Sequence, residues 1–252
     1  MDREILQKFI LGCELECIHS RILIAPSWSP ESVGIENSRL ISKSACEIWE
    51  CVLDGELFTY IVCGVGACLC ADIVMALQNT KCERILFLGS AGSLDSKIDI
   101  GDIGIPDEVI CGDGASRYMQ EDLLIDLFGK RICTTKGLHK QILIAAQESA
   151  ERCGVKSFGG VGISVESIFS QYQHLSYFDS LQCSYIDMEA SAFLVAATKA
   201  DIKSAIVFCI SDNVKHEEPL YSVSRERTNF RKEIRRRVMP QIICTFLKGG
   251  EE

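Results

Sequence analysis

Residues 85–92 read Ile-Leu-Phe-Leu-Gly-Ser-Ala-Gly, four large apolar side chains followed at once by a glycine-rich segment. An apolar run of this length, bounded by turn-forming residues, is typical of a strand buried in the middle of a sheet. The segment at 89–92 predicts a tight turn at the end of that strand. A helix is predicted before this strand, from Ala67 to Gln78, and another strand after it, at residues 103–111.

Strands and helices alternate along the rest of the chain. The apolar spacing predicts further helices at residues 3–18, 140–153, 189–200 and from after Tyr221 to Leu247, and further strands at 22–25, 160–164 and 205–210. Residues 46–63 predict an antiparallel hairpin, because Asp54-Gly55 between two apolar runs favours a tight turn. Since parallel neighbours need helical crossovers, we expect an α/β fold with a mixed, mostly parallel central sheet and helices on both faces, in a single domain over residues 1–252.

The composition narrows the range of partners. With 47% hydrophobic residues in a chain of 252, there is enough apolar side chain for one large core. The formal net charge of −9 disfavours binding to a nucleic acid. No apolar run of about 18 residues and no signal-peptide pattern occurs, so we expect a cytoplasmic protein without a membrane segment. The basic cluster at residues 231–237 is interpreted as a solvated helix face, with a binding patch as the alternative.

The chain has 14 cysteines, and many lie within apolar runs, as Cys63, Cys111, Cys209 and Cys244 do. This placement predicts buried free thiols. There is no C-x-x-C pair, and the chain has only four histidines. We therefore expect neither a metal site nor a cofactor.

Three polar groups follow predicted strands or open a predicted helix. They are residues 89–92 (Gly-Ser-Ala-Gly), residues 187–189 (Asp-Met-Glu) and residues 211–213 (Ser-Asp-Asn). Ligands of α/β sheets bind beyond the carboxyl ends of the strands, where these groups are expected to lie. Each group also has a purely structural explanation: a tight turn for Gly89 and Gly92, a favourable charge at a helix N-terminus for Asp187 and Glu189, and a helix N-cap for Ser211 or Asp212.

Four motifs occur in a definite order. They are Gly-Val-Gly at 64–66 opening a helix, Gly-Ser-Ala-Gly-Ser-Leu at 89–94 followed by Ile-Gly-Asp-Ile at 100–103, Asp-Met-Glu-Ala at 187–190, and Ile-Ser-Asp at 210–212. Together they closely resemble the nucleoside phosphorylase superfamily, which contains purine nucleoside phosphorylases, uridine phosphorylases, and the nucleosidases of methylthioadenosine and adenosylhomocysteine. The resemblance spans nearly the whole chain. It implies cleavage of the N-glycosidic bond of a small-molecule nucleoside by a homo-oligomer, either a dimer or a hexamer.

The resemblance assigns roles to the two acidic motifs. It implies that Glu189 holds the sugar hydroxyls, with Met188 packed on the sugar, and favours the oxocarbenium-like transition state. It implies that Asp212 protonates purine N7 as the bond breaks, for which burial has to raise its pKa. Arg227 is similar to an arginine that some phosphorylases of the superfamily use near that aspartate.

The resemblance implies further substrate contacts around these residues. Ile168 or Phe169 is expected to line the base, with core packing as the alternative explanation. Asp212 favours a purine, whereas Gln171 and Gln173 could instead face a pyrimidine edge or lie on the surface. The remaining expected binding positions are Gly89, Ser90, Asp187 and Ser211.

The sequence departs from the family pattern where phosphorylases bind phosphate. The phosphorylases of the superfamily branch that this sequence resembles have two arginines for phosphate. One lies two residues before the Gly-Ser-x-Gly motif, and the other lies in a Gly-Asp-Pro-x-x-Arg turn after the first strand. Here those positions hold Phe87 and residues 27–31, Ser-Trp-Ser-Pro-Glu. Because a buried phosphate dianion without cations is costly, hydrolysis of a purine nucleoside or a 5′-modified adenosine is favoured. The resemblance to the nucleosidases, which have a glutamate at about this place after the first strand, implies that Glu31 is the general base for water.

Two alternatives stay open. A phosphorylase, with phosphate as co-substrate, could use a rearranged site built from Arg39, Lys43, Ser90 and backbone N–H groups. A non-catalytic relative could keep the fold for binding or storage. Retention of both Glu189 and Asp212 argues against that second alternative.

Overall fold

The computed structural model describes residues 2–249, in which twelve strands form one mixed sheet. The strands are β1 Arg21–Ala25, β2 Asn37–Lys43, β3 Glu47–Leu53, β4 Glu56–Val62, β5 Arg84–Ser93, β6 Ile103–Gly104, β7 Glu108–Ile110, β8 Arg131–Cys133, β9 Ser157–Phe158, β10 Val161–Ser164, β11 Tyr185–Asp187 and β12 Lys203–Asn213. The helices are α1 Arg3–Leu11, α2 Ala67–Ala76, α3 Ala115–Tyr118, α4 Lys136–Arg152, α5 Ile168–Gln171, α6 Leu175–Ser180, α7 Ala190–Ala200 and α8 Arg225–Lys248. The predicted α/β class is confirmed.

Strand β5 is the centre of the sheet. It pairs in parallel with β1 on one side and with β12 on the other, and its last two residues pair antiparallel with β11. The carboxyl ends of β1, β5 and β12 therefore meet at one edge. The predicted hairpin is β3 and β4, and its turn residues Asp54 and Gly55 have φ values of 53° and 84°, as a tight hairpin turn requires.

Alternate side chains of β5 fill two separate cores. Ile85 and Phe87 face the layer formed by α1, α2 and α7, whereas Leu86 and Leu88 face the layer formed by α4 and α8. This follows from the two-residue period of a strand. Because helices cover both faces of the sheet, all four residues can be apolar. The run of apolar residues at 85–88 is therefore unbroken and does not alternate with polar residues.

The predicted turn at residues 89–92 is wrong, because these residues continue β5. The segment at 211–213 likewise continues β12, and the pairing register of the two strands shifts between Ile210 and Asp212. Such a bulge re-aims the side chains that follow it. Glycine is needed at position 92 because the Asp212 side chain packs closely against the backbone there, and not because the chain turns. A Cβ at this position would lie 2.9 Å from Oδ2 of Asp212.

Other element boundaries differ for identifiable reasons. The first helix ends at Leu11 because Gly12 adopts a left-handed conformation (φ 68°) and caps it. The strand predicted at 103–111 is two short strands, β6 and β7, on either side of Pro106. The edge strand β2 was not predicted.

All 14 cysteines are free within the described residues, and Cys63, Cys111 and Cys209 are buried as predicted, whereas Cys244 is only partly buried. Within residues 2–249, no helix combines the length and the apolar character needed to cross a membrane.

Candidate active site

A cavity of about 280 Å³ opens at the edge where β1, β5 and β12 end. The loop at residues 64–66, the end of β11, α5 and α8 close its sides. Of the predicted site residues, the cavity brings together Gly89, Ser90, Ile168, Asp187, Met188, Glu189, Ser211 and Asp212. A larger cleft of about 730 Å³ lies at the opposite edge, among the amino ends of the same strands, and contains none of these residues. The chemistry expected from the sequence therefore converges on the smaller cavity.

Glu189 is held in place at one end of the cavity. It is the N-cap residue of α7, it is buried, and its Oε1 accepts a hydrogen bond of 2.6 Å from the backbone N–H of Gly66. Gly66 has a φ of 117°, a conformation that favours glycine, so the Gly-Val-Gly motif serves to aim this donor. Burial, followed by the nearby charge of Asp187, raises the pKa of Glu189 to about 8.

Asp187 uses both carboxylate oxygens within the protein. Oδ2 accepts hydrogen bonds from the backbone N–H groups of Glu189 (2.9 Å) and Ala190 (2.7 Å), and Oδ1 accepts one of 2.6 Å from the Ser164 hydroxyl. Burial is the largest cause that raises the pKa of Asp187, to about 6. Asp187 lines the cavity, but these bonds make it a positioning residue for the start of α7.

Asp113 extends this network away from the cavity. The Ser191 backbone N–H donates to the Ser164 hydroxyl at 2.8 Å, and the Ser191 hydroxyl donates to Oδ2 of Asp113 at 2.5 Å. The hydroxyl and the backbone N–H of Ser116 also donate to this buried carboxylate. Sequence reasoning missed Asp113, because Ser191 and Asp113 are 78 residues apart and no local motif links them.

Asp212 lies in β12, directly after its bulge. It is buried, and its Oδ1 accepts a 2.5 Å hydrogen bond from the hydroxyl of Ser211, which also lies 3.1 Å from the carbonyl oxygen of Ala91. Burial is the main reason that the pKa of Asp212 is raised. The hydrogen bond from Ser211 and the positive charge of Arg231 act in the opposite direction. Asp212 therefore keeps its proton to a higher pH than an exposed aspartate does.

The structure does not bring Arg227 to Asp212. Its guanidinium donates to both oxygens of Glu218 and to Asp99, and it does not line the cavity. Asp99, His216 and Glu218 lie close enough to share a cation, and Arg227 supplies the positive charge there. The arginine beside Asp212 is Arg231, which lies four residues further along α8.

The basic cluster of α8 is only partly a solvated face. Lys232, Arg236 and Arg237 are exposed, as predicted. Arg231 is half-buried and lines the cavity. Arg235 is buried, with its guanidinium 4.4 Å from the ring centre of Trp28. Positions 231 and 235 share a helix face because they are four residues apart, and this spacing was the available signal.

Two other predicted residues lie outside the cavity. Glu31 lies in a short 3₁₀ helix with a side chain that is 77% exposed, and it pairs with Arg236 at 3.7 Å, so the structure does not bring it to the site as a general base. Phe169 is 84% exposed and does not line the cavity, whereas Ile168 does. Consecutive residues of a helical turn point about 100° apart, which separates the two side chains.

Phe87 occupies a fully buried aromatic cluster. Its ring centre lies 5.2 Å from that of Phe193 and 6.2 Å from that of Phe208. The position at which the resembling phosphorylases carry an arginine is therefore part of the core. Among the described residues that line the cavity, Arg231 is the one cationic side chain.

This fold and cavity define the chain as an α/β enzyme whose site lies at the carboxyl edge of a mixed sheet. The family model described as the phosphorylase superfamily matches residues 34–247, so the chain belongs to the phosphorylase superfamily. Its members are nucleoside phosphorylases or nucleosidases that cleave N-glycosidic bonds.

Solved structures of similar fold include proteins of both activities. A purine nucleoside phosphorylase from Toxoplasma gondii, in complex with immucillin-H, is 17% identical, with a TM-score of 0.74 over 92% of this chain and 93% of that one. A uridine phosphorylase from Vibrio fischeri is 17% identical, with a TM-score of 0.76 over 94% and 97%. An AMP nucleosidase from Bacteroides thetaiotaomicron is 18% identical, with a TM-score of 0.70 over 97% of both chains.

Proposed function

We propose that this protein hydrolyses the N-glycosidic bond of a purine nucleoside. The observation that carries the proposal is the distribution of charge in the cavity. Two buried carboxyl groups, Glu189 and Asp212, line it, and Arg231 is the one cationic side chain among the described residues that do so. An acid and a sugar-binding group are therefore supplied, whereas a phosphate would have a single side-chain cation, Arg231, to pair with.

Glu189 binds the sugar in this proposal. One of its oxygens is committed to Gly66, so the other can accept hydrogen bonds from sugar hydroxyls. Hydroxyl donors stabilise the anionic carboxylate, so a bound sugar lowers the raised pKa of Glu189. The negative charge that develops then lies near the sugar carbon on which positive charge accumulates in the transition state.

Asp212 is the general acid. Its proton passes to purine N7 as the bond between the base nitrogen and the sugar carbon breaks, so the base leaves as a neutral molecule. Water adds to the sugar carbon and releases a proton to solvent, and the Asp212 carboxylate takes up a proton before the next turnover. Because burial raises the pKa of Asp212, more of the acid form is available near neutral pH than for an exposed aspartate.

In this proposal the nucleophile lies beside Ser27, Gly89 and Ser90, which line the cavity. Hydroxyl groups can orient a water molecule there without a charged partner. Glu31 has no part in this step, since its carboxylate faces solvent. The oxocarbenium-like sugar is a strong electrophile, and an oriented water suffices to capture it once the base has been protonated.

Base release from inosine, guanosine, adenosine, 5′-methylthioadenosine and uridine, measured with and without phosphate, tests the proposal. We expect purine release in phosphate-free buffer, free sugar as the second product, and no increase in rate at millimolar phosphate. Release that depends strictly on phosphate and yields a sugar 1-phosphate would contradict hydrolysis. Cleavage of uridine alone would contradict the purine assignment.

Phosphorolysis is the second candidate, and one observation favours it. Ser27 and Ser90 both line the cavity and can donate hydrogen bonds to an anion together with backbone N–H groups. A phosphate bound by neutral donors alone is held weakly, so this candidate predicts a KM for phosphate well into the millimolar range. The same assay separates the two candidates by their sugar product.

A further inference from the structure

Arg231 lines the cavity from α8. Its Nε is completely buried, and no described residue accepts a hydrogen bond from it. The backbone carbonyl of Arg231 is in contact with the Cys209 thiol at 3.9 Å, which fixes this turn of α8 against β12. Arg235, one turn later, differs in that its Nε donates to the carbonyl oxygen of Ser32 at 2.9 Å and its guanidinium stacks on Trp28.

Because Arg231 lines the cavity, an acceptor bound there can pair with its guanidinium. A guanidinium has five N–H donors and no acceptor, and a buried donor left unpaired is unfavourable. Within the cavity, Asp212 is the carboxyl group whose titration responds to the charge of Arg231. Its Oδ1 is already occupied by the hydroxyl of Ser211. When Asp212 carries the proton that general acid catalysis needs, it does not supply Arg231 with a full negative charge.

The acceptor that fits this position belongs to the base. If Asp212 protonates purine N7, the group next to N7 on the same edge lies beside Asp212 as well. In hypoxanthine and guanine that group is the C6 carbonyl oxygen, an acceptor, whereas in adenine it is an amino group, a donor. Arginine opposite a 6-amino group would place donors against donors. A phosphate is a poorer fit at this end, because it would lie against the carboxyl group of Asp212.

We propose that Arg231 is a specificity-determining residue, which donates a hydrogen bond to the C6 oxygen of a 6-oxopurine and so makes inosine and guanosine better substrates than adenosine. This inference rests on the proposed function, since it takes the position of the base from the role of Asp212. The inference goes beyond the proposed function by naming the class of substrate and the residue that selects that class.

The test compares kcat/KM for inosine and adenosine in the wild type, in Arg231→Met and in the control Lys232→Met, whose side chain is exposed on the same helix. We expect the wild type to prefer inosine by about tenfold or more, the discrimination typical of a buried polar group left unpaired. Arg231→Met should lower kcat/KM for inosine by about tenfold or more and for adenosine by less than about threefold. Lys232→Met should leave both values within about twofold of the wild type.

A binding measurement on the wild type keeps the inference testable if Arg231→Met does not fold. Titration with the free bases should show hypoxanthine binding about tenfold or more tightly than adenine. Equal or weaker binding of hypoxanthine, a wild-type preference for adenosine, or an equal loss on both nucleosides in Arg231→Met would overturn the inference while leaving purine nucleoside cleavage intact. Failure to cleave any purine nucleoside would overturn the proposed function itself, and the inference with it.

Discussion

The two ends of the cavity are built in different ways. The end proposed to bind the sugar consists of Gly66, Asp187, Glu189 and the chain of hydrogen bonds that runs back to Asp113, and in it the carboxylates of Asp187 and Asp113 are hydrogen-bonded within the protein. The base end consists of Ile168, Gln171, Asp212, Leu220 and Arg231. There, Ile168 and Leu220 are each 42% exposed and Arg231 has an unpaired Nε. If the two ends bind sugar and base as proposed, the sugar end is positioned before substrate arrives, whereas the base supplies contacts that the base end lacks.

The difference between the two ends follows from what each end has to do in the proposed reaction. The sugar carries the charge that develops in the transition state, and fixed dipoles stabilise such charge best when they need no reorganisation. The base mainly has to be recognised and protonated, which a single acid and a few contacts can do. Changes at the sugar end should therefore act through geometry, whereas changes at the base end should act through single groups.

The largest effect is expected from Asp212→Asn at the base end. An amide cannot transfer a proton to the base, so kcat should fall by roughly 10²–10⁴-fold, while KM changes little because the acid acts only as the bond breaks. Steady-state kinetics measure this, with Asp201→Asn as the control. Asp201 is exposed and has a left-handed backbone (φ 58°) that asparagine also tolerates.

The pH profile sharpens the same prediction. Because Asp212 must be protonated and burial raises its pKa, kcat/KM in the wild type should fall as pH rises through that pKa. Asp212→Asn should lose this alkaline limb. An unchanged profile, or a loss of less than about threefold in kcat, would contradict the assignment of Asp212 as the acid.

A smaller loss is expected from Asp113→Asn, a change remote from the substrate. Asparagine replaces one of the two acceptor oxygens with an NH2 donor, so either the Ser116 backbone N–H or the Ser116 and Ser191 hydroxyls lose their acceptor, which lowers the free energy of unfolding by about 1–3 kcal/mol. If the network positions Glu189, kcat/KM per folded molecule should also fall by about tenfold, largely through weaker sugar binding. Denaturant unfolding and kinetics on the same sample separate the two effects, with the exposed Asp122→Asn as control. Full activity of the folded fraction would show that Asp113 serves stability alone.

How much of the fold and of the candidate site can be predicted from the sequence depends on how far apart in the chain the interacting residues lie. Asp187, Met188 and Glu189 come together at the cavity because they form one local motif at a helix start, and the alternation of strands and helices predicted the α/β class. The prediction of a turn at residues 89–92 was wrong because glycine occurs both in turns and where another group packs closely against the backbone. Here the neighbouring Asp212 side chain requires Gly92.

The base end was predicted less well. Arg231, rather than Arg227, faces the cavity because of the phase of α8 and because Glu218 and Asp99 bind the guanidinium of Arg227. Neither the orientation of α8 nor the partners of Arg227 can be predicted from the sequence without knowing how that helix packs. Residue spacing alone therefore predicted the residues that line the cavity better where those residues are neighbours in sequence.

The protonation of Glu189 gives a test at the sugar end that needs no substrate. Burial raises the pKa of Glu189 from about 4.5 to about 8, so the folded protein holds a proton that the unfolded chain releases over this range. The stability contributed by this residue is therefore present at low pH and is lost as pH rises towards 8. Unfolding free energies at about pH 5 and 8 should differ less in Glu189→Gln than in the wild type. An identical pH dependence in the two proteins would contradict the raised pKa.

The smallest effects are expected from two neighbouring apolar residues of the base end. Ile168→Ala should raise KM by roughly three- to tenfold, because it removes part of the apolar wall that covers the base. Phe169→Ala should change KM by less than about twofold, since this side chain is 84% exposed and does not line the cavity. The two positions are adjacent and differ mainly in direction, so each variant serves as the control of the other. A larger effect from Phe169 would mean that the base lies outside the cavity described, or that the base end closes differently when substrate is bound. In either case the base end, and not the sugar end, is where the site has to be redrawn.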